Sequence, residues 1–289
     1  MRIGAISSLN SSVGLETFID VLGEDFEFEQ LTIDQAKTDI DVSGYDLFFL
    51  HNTLNVTAEV LEKSIVYALQ TVTDQIVHDP DIQKRIKSSC PLEIWCNTAS
   101  AVEDLSSVGI SSKVFYRPMS NFKTPTTYIP LPQKNAILWY YKPDHPPMKP
   151  QLHEISNLLN QIEGTTVYLF PAVESPIDKE NIKAVGRVDL EEWIPKVRGM
   201  VRISDRLDFG RSTFDILGHG RWVLYLNMRE DDVFSASSIS EIPAMISHLL
   251  ESEDDQRCLA RFKRSKRLDK TALRETWSKQ IKQVVCQKK

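Results

Sequence analysis

The chain has 289 residues, 42% of them apolar and 26% charged, with a net charge of −6. That balance excludes collagen-like, low-complexity and intrinsically disordered chains, and no run of about 18 apolar residues offers a membrane-spanning helix. The opening MRIGAISSLN is too short and too polar for a signal peptide, so the expected compartment is the cytosol; the four cysteines (Cys90, Cys96, Cys258, Cys286) lack C-x-x-C or metal spacing and are expected to be reduced structural thiols.

Strand and helix alternate from the N-terminus. Arg2–Ser7 is a short buried-type strand, Gly14–Leu22 reads as a helix, and Phe26–Ile33 alternates as a second strand. Tyr45–Leu50 is a continuous apolar run ending in His51-Asn52-Thr53, a third strand with a polar tip. Thr57–Val72 carries Val60, Leu61, Ile65, Val66, Ala68 and Leu69 at helical spacing and reads as one helix. Glu93–Cys96 and Lys113–Tyr116 are the fourth and fifth strands, with a short helix over Ala99–Leu105 between them. The alternation predicts a doubly wound parallel sheet with right-handed crossovers.

Pro118, Pro125, Pro130 and Pro132 then fall close together with no long apolar run. Residues 121–135 read as a stiff linker between a first domain over 1–120 and a second over 136–255. The second domain opens with a strand at Ala136–Tyr141, a proline-rich turn over Lys142–Pro150, and a helix at Gln151–Ile162 with Leu152, Ile155, Leu158, Leu159 and Ile162 on one face. Strands follow at Thr165–Ala172 and Ile182–Val188, then a short turn from Asp189 to Trp193, and a later helix at about Ser240–Leu250.

Between these lies the most informative stretch, Gly199 to Met228. Gly199–Ser204 reads as a strand, Asp205–Gly210 as a polar turn, and Ser212 or Thr213 as the cap of a helix carrying Phe214, Ile216 and Leu217. Gly218 and Gly220 stop that helix, and Arg221–Met228 is another strand. In a parallel sheet, ligands bind at the strand's C-terminal end, where the next helix offers unpaired amides and a positive dipole that suit phosphate. Arg211, Ser212 and Thr213 add a cationic fork and two hydroxyls there, and Asp215, one turn further in, suits the hydroxyls of a sugar.

The net charge hides a split. Residues 256–289 carry twelve Lys/Arg and two acids, ten net positive charges, so the remainder carries sixteen net negative ones. This basic helical segment is either a solvated face docked on an acidic body or a surface for nucleic acid or an anionic membrane. Other signatures are missing. There is no G-x-G-x-x-G, no GxxxxGK[ST], no G-x-S-x-G and no H-E-x-x-H. Asp79-Pro80-Asp81 has the D-x-D spacing of metal–diphosphate sites, but a proline stands in its middle and the match reads as chance.

The stretch Ser212-Thr213-Phe214-Asp215-Ile216-Leu217-Gly218-His219-Gly220-Arg221-Trp222-Val223 resembles the C-terminal domain of GT-B-fold glycosyltransferases, where a Gly-rich loop leads to a helix beginning S/T-x-x-E-A-L-A-x-G and then a strand. The resemblance covers about thirty residues. Asp215 stands where the family has a ribose-binding Glu, and Phe209–Thr213, with Gly210, where it has its phosphate loop. The earlier acid of the family's E-x₇-E pattern has no counterpart: Leu207 occupies that place and Asp208 is one position off.

The resemblance implies an α/β protein of two Rossmann-like parallel-sheet domains facing a cleft, with C-terminal helices. It implies transfer of a hexosyl or pentosyl group from a nucleotide-diphosphate sugar to an acceptor hydroxyl, without metal or cofactor. The donor would lie on Lys149, Gly210, Arg211, Ser212, Thr213 and Asp215. Lys142 competes with Lys149, and Arg187 and Arg202 stand at or near strand ends. His51, at the third strand's tip, has the chemistry of a base that takes the acceptor's proton, with Asp20 and His78 as weaker alternatives; His219 reads as a helix-end partner of the backbone. The acceptor could be a modified DNA base, a glycan or a lipid-linked glycan. The alternative function is a non-catalytic nucleotide-binding or scaffold module of the same fold.

Overall fold

A computed structural model describes residues 1–7, 13–38, 40–116, 125–142, 152–203, 210–228, 230 and 232–287. The chain divides into two compact units, one of residues Met1–Phe122 with Leu268–Lys289, the other of Lys123–Arg267. Each is built on a six-stranded, all-parallel sheet flanked by helices. No helix among the described residues is long and apolar enough to cross a membrane.

The first unit's strands are β1 (Arg2–Ser7), β2 (Glu27–Leu31), β3 (Leu47–His51), β4 (Ser64–Ala68), β5 (Glu93–Cys96) and β6 (Lys113–Val114), in the order β2-β1-β3-β4-β5-β6. Their side chains alternate between two cores, as the two-residue period of a strand requires. Ile3, Ala5, Leu47, Phe49, Ile65 and Tyr67 face α1 (Val13–Leu22) and α12 (Lys270–Cys286). Ile6, Phe48, Leu50, Val66 and Ala68 face α2 (Ile33–Lys37), α3 (Ala58–Glu62), α4 (Gln70–His78), α5 (Pro80–Ser89) and α6 (Ala99–Ser107).

One sequence expectation needs correction here. Thr57–Val72 is not one helix: α3, the central strand β4 and the start of α4 occupy it. Every residue of β4 is buried. A strand covered on both faces shows a continuous apolar run, and a short run of that kind fits a helical template equally well. The sheet therefore has six strands rather than five. Asp79-Pro80-Asp81 is a helix start: Asp79 caps α5, its Oδ1 accepting from the amides of Asp81 (2.9 Å) and Ile82 (3.2 Å), with Pro80 in the first turn.

The second unit carries β7 (Ala136–Tyr140), β8 (Thr166–Phe170), β9 (Ile182–Ala184), β10 (Gly199–Arg202), β11 (Trp222–Leu226) and β12 (Phe234–Ala236) in the order β12-β11-β10-β7-β8-β9. The edge strand β12 lies where the sequence suggests only a loop. On one face, Ile137, Trp139, Val167, Leu169, Val201, Trp222 and Leu224 meet α7 (Leu152–Gln161) and α10 (Ile242–Ser252). Also in this unit are α8 (Leu190–Trp193), α9 (Arg211–Gly218) and α11 (Asp255–Ser265), and α9 touches β11, α8 and α11. Gly220 ends the α9 turn with φ of 77°, and a Cβ there would come within 2.3 Å of the Cys258 carbonyl oxygen in α11.

The basic segment is split between the units. On α12, Lys270 pairs with Asp20 (3.2 Å), and Arg274 pairs with Asp25 (2.8 Å) and Glu24. On α11, Arg261 is buried against Glu253 (2.9 Å) and donates to the Gly220 carbonyl (2.9 Å). The exposed Arg257, Lys263, Arg264 and Lys266 have no ion-pair partner among the described residues.

Candidate functional site

In the second sheet the chain runs outward from β7 to β8 and β9, then returns to the other side of β7 as β10. The order reverses between β7 and β10, and crossover connections leave a crevice at the C-terminal ends of those two strands. Three register partners line that edge: Tyr140 on β7, Arg202 on β10 and Tyr225 on β11. The Arg202 guanidinium lies over the Tyr140 ring, 4.5 Å from its centroid.

Helix α9 follows β10 and begins at Arg211, one or two residues before the cap positions expected at Ser212 and Thr213. Gly210 is its N-cap, in an extended conformation. A Cβ at Gly210 would lie 2.6 and 2.7 Å from the two guanidinium Nη atoms of Arg202, so a larger residue there would push the head of that side chain aside. The first helical amides, on Arg211 and Ser212, precede any carbonyl their own helix could offer them, whereas the Thr213 amide turns back to the Gly210 carbonyl at 2.9 Å. Arg202 Nη1 donates to Ser212 Oγ at 3.4 Å.

The expected donor residues are thus distributed as follows. Gly210, Ser212 and Arg202 meet at the α9 N-terminus, with the Arg211 backbone beside them. Thr213 is fully buried, its hydroxyl 2.5 Å from that of Tyr225, so it holds the helix to β11. Asp215 is half-buried, one turn further along α9. Its carbonyl accepts from His219 Nδ1 (2.8 Å), the backbone role expected of that histidine, and burial pushes the His219 imidazole pKa down. Arg187 is exposed beyond the edge strand β9, away from the β7–β10 crevice, and Lys142 is exposed after β7. Lys149 lies outside the described residues.

The first sheet has its own reversal, between β1 and β3, and Ser7 and His51 are register partners at those two strand ends. His51 is 4% exposed. Its Nδ1 is 3.4 Å from Ser7 Oγ, its ring stacks on Tyr67 (5.9 Å, 17°), and Phe18 packs beside it at 5.8 Å. Asn52 follows with φ of 52°, and Asn97 and Thr98 are buried just past β5. Asp20 is an exposed partner of Lys270, and His78 is exposed at the last residue of α4.

No family model matches the sequence. No curated protein matches it either. Solved structures do. HepE of Anabaena, in complex with UDP-glucose, aligns with TM-score 0.63 at 13% identity over 98% of this chain and 100% of that one. The lipopolysaccharide outer core galactosyltransferase WaaB, in its apo form, aligns with TM-score 0.68 at 10% identity over the whole of both chains. The chain has the GT-B fold. Sucrose-phosphate synthase from Thermosynechococcus elongatus, at TM-score 0.61, 12% identity and 99% of both chains, agrees.

On the GT-B plan, the β7–β10 crevice and the β1–β3 crevice are the C-terminal edges of the two Rossmann-like sheets. Sequence reasoning missed Tyr140, Tyr225 and Ser7. Tyr140 and Ser7 end strands beside a reversal and Tyr225 is the next-to-last residue of β11, but pairing β7 with β10 requires the strand order, which no local pattern reveals.

Proposed function

We propose that the chain is a glycosyltransferase that moves a hexosyl or pentosyl group from a nucleotide-diphosphate sugar to an acceptor hydroxyl. The observation that carries this reading is the β7–β10 crevice. There the α9 amides of Arg211 and Ser212, the Arg202 guanidinium and the Ser212 hydroxyl converge at a helix N-terminus, with the Asp215 carboxylate one turn away. The amides suit a diphosphate and the carboxylate suits ribose hydroxyls. HepE, solved with UDP-glucose, is a donor-bound protein of this fold.

In the reaction, the acceptor oxygen bonds to the anomeric carbon as the bond from that carbon to the diphosphate oxygen breaks. The diphosphate leaves with the electron pair, and the acceptor proton passes to a base. Helix amides and cationic side chains that meet the charge developing on the leaving oxygens lower the barrier without a metal. Gly210, Arg211 and Ser212 would cradle the diphosphate, with Lys149 assisting. Thr213 would act by locking α9 to β11, and Asp215 would hold the ribose. His51 would take the proton, with Ser7 against its Nδ1. The unpaired cations of α11 would hold a polyanionic acceptor, either a nucleic acid carrying a modified base or a lipid-linked glycan at an anionic membrane.

The burial of His51 favours a second reading, a non-catalytic nucleotide-binding module, because a base must touch the acceptor hydroxyl. A thermal-shift screen with UDP, GDP, ADP, CMP and their sugar conjugates tests the donor site. Ligand bound only to the folded state raises stability by RT ln(1 + [L]/Kd). A shift for one nucleotide, lost in Asp215→Ala, is the expected result; no shift with any nucleotide refutes the donor site. Binding without product across an acceptor panel selects the non-catalytic module.

A further inference from the structure

The first sheet stops at β6, an edge strand of two residues that are both exposed. Beside it, at the N-terminal ends of β5 and β6, lies a cavity of about 440 Å³. Small-molecule pockets occupy roughly 300–1,000 Å³. Two turns bound the cavity: residues 90–92, which lead from α5 into β5, and residues 109–112, which lead from α6 into β6. The turn into an inner strand has another turn on each side. The one into β6 has a neighbour on one side only, so the corner stays open. This is the opposite end of β5 from Asn97 and Thr98.

The cavity's inner wall is apolar. Ile86, Ile94 and Ile110 belong to the buried core, and the half-buried Leu92 joins them. The acceptors around it are already engaged. The Ile86 carbonyl accepts from the Cys90 amide (2.9 Å) and the Lys87 carbonyl from the Cys90 thiol (3.0 Å). The Leu105 carbonyl accepts from the Val108 and Ile110 amides, and the Val108 carbonyl from Lys87 Nζ (2.9 Å). The Glu93 carboxylate is shared by Lys113, Trp95 Nε1 (2.6 Å) and Gln280 Nε2 (3.0 Å). What remains is donor capacity. An ammonium has three N–H donors. Lys87 spends one on a neutral carbonyl, and no carboxylate pairs with it among the described residues.

We propose that this corner binds a monocarboxylate with an apolar body, the body lying on Ile86, Leu92, Ile94 and Ile110 and the carboxylate accepting from Lys87 Nζ at the rim. A small anion without a body would gain only an exposed ion pair, which is worth little in water. A hydrocarbon without a head would leave the ammonium unanswered. A dianion would meet one uncommitted cation with Glu93 across the cavity from it. The site uses no residue of either crevice and lies within the first unit, so it holds whether or not the chain transfers sugar.

Cys90 lines the cavity and supplies a local reporter. Of the four thiols, Cys90 and Cys286 are exposed and Cys96 and Cys258 are buried. Burial pushes the Cys96 thiol up to about 11 and raises that of Cys258, so neither reacts readily. In the full-length chain carrying Cys286→Ser, alkylation by iodoacetamide therefore reads this corner, and the reagent is uncharged, so electrostatic repulsion does not mimic protection. The probes are octanoate, octanol (the same body without the carboxylate) and acetate (the carboxylate without the body).

Octanoate is expected to slow Cys90 alkylation severalfold, octanol much less at the same concentration, and acetate not at all. Lys87→Met keeps the apolar stem and removes the charge; it is expected to raise the octanoate concentration needed for half-protection about five- to tenfold, the scale of a partly exposed charge-assisted contact. Lys87→Arg is expected to retain protection. Equal protection by octanol and octanoate, undiminished octanoate protection in Lys87→Met, or no protection by any probe overturns the proposal. Unfolding by the probe would speed alkylation rather than slow it. Melting temperatures without probe identify any variant that fails to fold, and Lys87→Arg with the octanol comparison keeps the test open if Lys87→Met does.

Discussion

Trp277 ties the C-terminal helix to the first unit, and its removal measures what that helix contributes. The indole is fully buried. It packs against Phe18 (4.4 Å between ring centroids), Trp95 (4.7 Å), Phe115 (5.4 Å) and Tyr67 (5.5 Å), and its Nε1 donates to the Tyr116 carbonyl at 3.2 Å. Truncating a buried tryptophan to alanine costs about 3–5 kcal/mol in lost transfer energy and cavity. About 4 kcal/mol, in a unit of roughly 140 residues, lowers the melting temperature by about 12–16 °C. Calorimetry of the full chain, with Trp277→Phe as a partial-retention control, reads this directly. A fall of less than about 4 °C would mean that α12 is not part of the folded core and would refute the packing argument. The effect reaches the site, because Phe18 touches both Trp277 and His51. On the transferase reading, Trp277→Ala well below its melting point is therefore expected to slow sugar transfer at unchanged donor affinity.

Two further outcomes follow from packing and charge. Arg274, then Ser278, hold the Asp25 carboxyl down at about 2, below its ordinary 3.8. The folded state binds that proton less readily than the unfolded one. The resulting stability is therefore full above about pH 4 and is lost as the pH falls from 3.8 toward 2. Asp25→Asn is expected to cost on the order of 1 kcal/mol at pH 7, after allowance for partial exposure. Denaturation across pH 7 to pH 2 should show the gap to wild type closing below pH 4, and a constant gap would disprove the linkage. Gly199→Ala places a Cβ 2.1 Å from the buried Trp222 ring in the adjacent strand, so it is expected to cost about 2–3 kcal/mol. Trp222→Phe in the same chain should recover part of that loss, and equal losses in both backgrounds would rule out the collision.

How much of this was legible from the sequence varies by element. β1 and β7 carry plain apolar runs bounded by polar residues, and their limits are read to within a residue. The βα unit from Gly199 to Met228 is legible because glycines punctuate it on both sides. β4 is not, because Ser64–Ala68 is covered on both faces and loses the alternation that distinguishes strand from helix. Edge strand β12 fails for the opposite reason: it has three residues, too few to show a period. At the site, Arg211, Ser212 and Asp215 follow from position in a helix start. Arg202 is visible only as an arginine at a strand end, and its meaning depends on Tyr140, sixty-two positions earlier in the chain. Thr213 shows the converse limit. A hydroxyl in the first turn suits phosphate on paper, and only the packing of Tyr225 shows that it serves the backbone scaffold.

The two sheets obey one topological rule and differ in chemistry at the place that rule selects. Where a parallel sheet reverses its winding, two crossovers leave in opposite directions from neighbouring strand ends. At β1–β3 the groups gathered there are a hydroxyl and an imidazole bounded by aromatic rings. Such a set exchanges a proton and brings little charge of its own. At β7–β10 the groups are a guanidinium, a hydroxyl and helix amides, which cannot accept a proton but can hold growing negative charge. Displacement at an anomeric carbon needs both kinds of chemistry, on opposite partners of the reaction. On the transferase reading, the division predicts that donor affinity is flat from pH 5.5 to 8, since arginine does not titrate there, and that His51→Gln slows turnover without changing donor Kd. A donor Kd that weakens in His51→Gln as much as turnover falls would show that His51 serves the donor and would reverse the assignment of the two crevices.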